Sequence, residues 1–163
     1  ILGEHVAAAA GFAFADYLHE AVLEPLDMHR SSFDGHPGSG LYASILDVVA
    51  LVRELRRPTL LAPETWQEMT TPQYPDLGGV LPGYGRQVPN PWGLGPEIRG
   101  AKAPHWSAPW GSPRTFGHFG RSGTLVWVDP DADVGFVALT DREFGTWAID
   151  AWPRTSGDVL DCA

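Results

Sequence analysis

The stretch TFGHFGRSGTLVWVD, Thr115 to Asp129, sets one histidine among three glycines, immediately ahead of a run of apolar and β-branched residues. That run, and VGFVALTD after it (Val134 to Asp141), read as strands covered on both faces, because almost no polar residue interrupts them. The acids and proline of DPDAD between them are hairpin-turn chemistry. TFGHF adds a third strand. Gly117 and Gly120 flank His118 and remove side chains where a ligand could approach the backbone closely, and Gly123 is a third bare position. An imidazole there can donate a hydrogen bond or join a proton relay near neutral pH. The pattern equally suits a buried histidine bonded to a backbone carbonyl, with the glycines marking a bulge.

Working toward the N-terminus, residues 71–114 crowd prolines, glycines and tryptophans together, and only PWGLGPEI (Pro91 to Ile98) hints at a strand. Tryptophans are more often core, and only Trp92, Trp106 and Trp110 fall in this loop zone, where exposure and stacking on a ligand are open to an aromatic ring. His105, in KAPHWSAPW, is placed at the mouth of a cleft on the same reasoning. Residues 1–70 are helical by period. ILGEHVAAAAG ends a helix at Gly11. Phe14, Leu18, Ala21 and Val22 mark a second, running to Pro25. PLDMHRSSFDGHPGSG reads as loop. Ser44 caps a third helix with Asp47 three residues on, and Ile45, Val48, Val49 and Val52 form its stripe before Pro58. APETWQEM starts a fourth with Pro63 in its first turn. In residues 115–163 the strands are followed by helical spacing at Trp147, Ala151 and Trp152, which Pro153 is expected to break or restart. Helices, then strands, then a closing helix give an α+β layout, with all three regions in one domain. Three or four strands with buried faces need more partners than this chain supplies.

The bulk numbers narrow the function classes. The chain has 163 residues, 44% hydrophobic and 19% charged, with net charge −9 and Lys102 as its only lysine. An acidic balance without a basic stripe argues against nucleic acid as a partner. No apolar run approaches the ~18 residues of a membrane span. The single Cys162 excludes a disulfide framework and leaves the compartment undetermined. No metal is expected. The six histidines have no Cys or acid at ligand spacing, and DPDAD fails as a calcium loop because Gly135 falls one place late and Thr140 occupies the twelfth position. No cofactor is implied.

Four segments together carry a resemblance. EPLDM, within Ile1 to Phe33, stands where one family has EPLGM. GSGLYASILDVVALVREL (Gly38 to Leu55) is similar to its GGLYSTAxDLARF element, and LLAPETWQEMTTPQ (Leu60 to Gln73) to the segment that follows. GHFGRSGTLVWVDPDADVGFVALTD (Gly117 to Asp141) is similar to its third active-site motif, Lys-Thr-Gly or His-x-Gly, with the next two strands. The family is that of the serine β-lactamases and penicillin-binding proteins, in its class C, D-alanyl-D-alanine carboxypeptidase and esterase branch. The resemblance implies a partial β-lactamase/transpeptidase-like fold with an antiparallel sheet. It also implies catalysis on a small ester, amide or peptide-like substrate through an acyl-enzyme. The triad would be His118, Phe119 and Gly120. His118 would bind substrate or tune the proton relay, and the backbone N–H of Arg121 would be one oxyanion-hole donor. Phe119, Ser122 and Trp106 are the candidate substrate contacts, although strand alternation also turns Phe119 toward the core.

The same resemblance implies a nucleophile in Ser-x-x-Lys and a base in Tyr-x-Asn. Neither is present. Arg99 stands three places before Lys102, and Tyr17, Tyr42, Tyr74 and Tyr84 are followed two places on by His19, Ser44, Asp76 and Arg86. The opening ILGEHVAAAA lies inside a periodic stretch, so the expectation is a C-terminal portion. Its missing partner would be the N-terminal strands and nucleophile helix of the same domain, and the chain would be inactive alone. The competing expectation is a non-catalytic binding or interaction module built on the same fold.

Overall fold

The computed structural model describes all of residues 1–163. Two short helices open it, α1 (Leu2–Ala10), closed by Gly11 in the left-handed region, and α2 (Phe14–Leu18), which widens into a π-helical turn over His19–Leu23. The segment read as loop, Pro25 to Gly40, contains β1 (Ser32–Phe33), which pairs with β2 (Leu41–Tyr42) just beyond it, both too short to show a period. The Asp47 carboxylate receives Arg30 N–H at 2.8 Å and Ser31 Oγ at 2.7 Å, which ties the end of this region to the next helix. That helix, α3 (Ile45–Arg56), begins as expected, with Ser44 Oγ accepting from Asp47 N–H. Its buried stripe is Val48 and Val52, whereas Ile45 is exposed. α4 (Pro63–Met69) has Pro63 in its first turn, where the missing N–H costs nothing.

The Pro/Gly/Trp region holds more strand than its composition suggested. β3 (Gly79–Leu81) and β4 (Gly85–Gln87) form a hairpin, and β5 (Glu97–Ile98) lies in the segment PWGLGPEI. The stretch around His118 supplies β6 (Phe116–Phe119), followed by β7 (Leu125–Asp129) and β8 (Val134–Ala138), in an antiparallel sheet of order β5-β6-β7-β8. A single helix, α5 (Thr146–Asp161), closes the chain and runs through Pro153, contrary to the expected break. Arg154 Nε covers the Asp150 carbonyl at 2.8 Å in the turn that proline interrupts. Burial of Ala148, Trp152 and Ser156 in the core outweighs the local penalty.

Register divides the sheet cleanly. Ile98, Phe116, Val128 and Gly135 form one cross-strand row, and Glu97, Gly117, Trp127 and Phe136 the next, on the opposite face. The first row packs under α3 and α4, with Val52, Leu55 and Trp66 against Phe116 and Val128. The second face packs under α5, where Leu125, Trp127, Ala148 and Trp152 form the larger core. Gly135 is required by this layering, because a Cβ there would stand 2.3 Å from Val52 Cγ1. Arg56 and Arg57 bridge to Asp133 at 2.8 and 2.7 Å, pinning the end of α3 to the β7–β8 turn. β7 is well covered, but β8 is only half-buried along its length and its outer edge pairs with no strand.

Candidate functional site

β6 carries His118 on the α3 side of the sheet, beyond the reach of the core, so the imidazole is exposed. The Trp92 ring meets it edge-on, with centroids 5.6 Å apart and planes at 64°. The two rings stand at a cavity of about 510 Å³ that Val80, Leu81 and Pro82 of the β3–β4 hairpin, Glu97, Phe119, Arg121 and Phe144 complete. Most of that lining is apolar, and His118, Glu97 and Arg121 are its ionisable members.

The residues singled out from sequence divide between this cavity and other places. Phe119 packs toward the core, as strand alternation suggests, and also borders the cavity. On the α5 side it meets Trp106, Phe144 and Trp152, the Phe119–Phe144 centroids lying 4.9 Å apart. Gly120 donates its N–H to the Thr124 carbonyl at 2.8 Å and does not line the cavity. Arg121 is exposed. Its carbonyl accepts Phe144 N–H at 2.9 Å, while its own N–H meets no acceptor in the chain. Ser122 is exposed and bonds Thr124 Oγ1 at 3.1 Å, outside the cavity.

Trp106 corrects the expectation of a substrate contact. It is 0% exposed, because its indole N–H reaches a buried acceptor, Glu97 Oε2, at 2.8 Å. His105 is likewise buried beneath the site and not at a cleft mouth. The bareness of Gly117 is also explained by packing: a Cβ there would lie 2.1 Å from the Val126 carbonyl oxygen, so the glycine admits the neighbouring strand and not a ligand. Gly123 sits in the left-handed region at φ +78°, and a Cβ would meet the Arg142 carbonyl.

Sequence reasoning missed a buried polar cluster behind this wall. Glu97 Oε1 takes Lys102 Nζ at 2.5 Å and His105 Nε2 at 3.1 Å, and Glu97 Oε2 takes the Trp106 N–H. Lys102 Nζ also reaches Asn90 Oδ1 at 3.0 Å. Burial alone would raise the Glu97 carboxyl, but the His105 hydrogen bond and the Lys102 charge outweigh it and hold it below the usual carboxylate range. Burial lowers His105, against the pull of Glu97, so the ring is neutral near pH 7. Burial also lowers the Lys102 ammonium, opposed by the charge of Glu97. Tyr84, whose buried hydroxyl has no partner, is raised by burial and then by Glu97 and Asp150, and stays protonated. A lone lysine between prolines in an arginine-rich chain was the available signal. The acids of DPDAD are engaged by protein groups: Asp129 accepts Ser112 N–H and Thr115 Oγ, and Asp131 and Asp133 hold arginines.

A helix-flanked antiparallel sheet whose His-x-Gly strand borders an open cleft is the arrangement of the serine β-lactamase and penicillin-binding-protein class. The chain belongs to the β-lactamase family, whose profile matches residues 1–156. It is similar to a β-lactamase from Mycobacterium bovis, with 48% identity and a TM-score of 0.95 over 99% of this chain and 60% of that one. Its fold also matches the simvastatin synthase LovD from Aspergillus terreus, at 16% identity and a TM-score of 0.76 over 98% of this chain and 52% of that one. EstCE1, a hydrolase with promiscuous acyltransferase activity, matches at 19% identity and a TM-score of 0.72 over 96% of this chain and 53% of that one. The chain therefore spans 60% or less of these relatives' length. No curated protein matches it.

Proposed function

We propose that this chain is the C-terminal portion of a β-lactamase-like serine hydrolase that cleaves a small ester, amide or peptide-like substrate through an acyl-enzyme, and that it is inactive alone. The observation that carries this reading is that an exposed imidazole and Arg121, whose N–H meets no acceptor in the chain, border one largely apolar cavity. In the reaction, a serine hydroxyl from the preceding polypeptide attacks the substrate carbonyl and loses its proton. The alcohol or amine leaves with a proton, and water then releases the acid and restores the serine. The oxyanion formed at each attack needs donors already in place. Arg121 N–H is one, and such a donor contributes about 2.7–4 kcal/mol to the transition state. His118 binds substrate or tunes the proton transfers, Phe119 contacts the apolar part of the substrate, and Ser122 stands outside the cavity as a weaker contact. The half-covered β8 with its free edge supports the need for further strands from the same domain.

The test compares this polypeptide with one extended upstream through Ser-x-x-Lys and Tyr-x-Asn motifs. A chromogenic ester and a cephalosporin should be untouched by the shorter protein and turned over by the longer. Turnover by residues 1–163 alone, or an extended protein without those motifs, would refute the reading. Stoichiometric ligand binding without turnover in either form would favour the non-catalytic module.

A further inference from the structure

We infer that Glu97 is a positioning residue for the His118 wall, a role that matters for catalysis only under the reading proposed above. β5 is two residues long, so its backbone bonds are few. Yet Glu97 lies opposite Gly117, the residue before His118, and on its other side bridges Trp92, whose ring meets His118. One residue therefore sits between the two backbone positions that set how these rings face each other.

What holds that residue is its side chain, only 2% exposed and gripped by three donors. The donors are oriented in turn. His105 Nδ1 accepts Ser107 N–H at 3.1 Å and lies 2.8 Å from Ser107 Oγ, so the ring proton sits on Nε2 and points at Glu97. Lys102 supplies the counter-charge and Trp106 the bond to the second oxygen. Both carboxylate oxygens thus face donors only. Glutamine has the same shape, but one of its ends is an NH₂ group that would face a donor whichever way it turned. Glu97→Gln therefore keeps the volume and loses the grip.

The experiment follows the His118 imidazole by NMR in the 163-residue chain, its signal identified by loss in His118→Gln. The ring current of Trp92 gives that signal a position that depends on how the two rings face each other. In Glu97→Gln the signal should move and the protein should melt at lower temperature. Glu97→Gln/Lys102→Met, which removes the orphaned cation as well, should regain much of the melting temperature while the His118 signal stays displaced. Ser107→Ala, which loosens only the far end of the relay, should move the signal in the same direction by less. A His118 signal that coincides with the parent in the folded double variant or in Ser107→Ala would overturn the inference and leave Glu97 a purely structural residue. The readout needs no turnover, so its failure is distinct from failure of the acyl-enzyme reading.

Discussion

Lys102 and Glu97 illustrate how one buried residue can be indispensable while the pair is not. Lys102→Met alone leaves a carboxylate in the interior without its counter-charge, and breaking a buried pair from one side costs about 3–5 kcal/mol. Urea midpoints should place this variant well below the parent and below Glu97→Gln/Lys102→Met. The pH dependence follows from the same cluster. Glu97 and His105 both have folded values lowered from their ordinary ones, so in each case the unfolded chain binds protons more readily. The contribution of Glu97 is present above its unfolded pKa and is lost as pH falls through the folded one. For His105, stability begins to fall below the ordinary histidine value of about 6.5. Melting temperature should therefore decline as pH is lowered from 7, and His105→Gln should flatten the upper part of that decline. Beyond the lone lysine, none of this is legible in the sequence. The partners lie at irregular separations in a Pro-rich loop, and the burial of Trp106 escapes the sequence because nothing local shows where an indole N–H will find its acceptor. His118 is different: its pattern leaves a buried ring open, the family resemblance implies a place at the cleft, and the ring is exposed at the cavity.

At the level of elements, the fold rewards sequence signals that act locally. Ser44 and Asp47 announced the start of α3, and removing the capping hydroxyl in Ser44→Ala should cost about 1 kcal/mol by thermal unfolding. The apolar runs of β7 and β8 were equally clear. The β3–β4 hairpin and the β1–β2 pair were not, since strands of two or three residues carry no period. Pro153 misled in the other direction: tertiary burial of Trp152 and Ser156 keeps α5 continuous across it. Contacts between elements are stricter than either. Gly135 lies under Val52 and Arg56 with no room for a methyl group, so Gly135→Ala should destabilise the chain by about 1–3 kcal/mol. Its effect should appear as a shifted denaturant midpoint with little change in slope, because the same surface is exposed on unfolding.

The whole molecule is a sheet between helices with one flank left open. The outer backbone of β8 is unpaired, and Tyr42, Leu46, Tyr74 and Val80 are exposed. Free strand edges and exposed apolar side chains both promote association. Sedimentation velocity of residues 1–163 should show concentration-dependent oligomers that disappear when the polypeptide is extended upstream. A monomer at every concentration would count against the need for further strands. The sealed position of Lys102 has a practical use in such work. It carries the only ε-amine in the chain, so acylating dyes will tag it only during excursions that breach the interior, and the tagging rate becomes a clock for how often the floor beneath His118 comes apart.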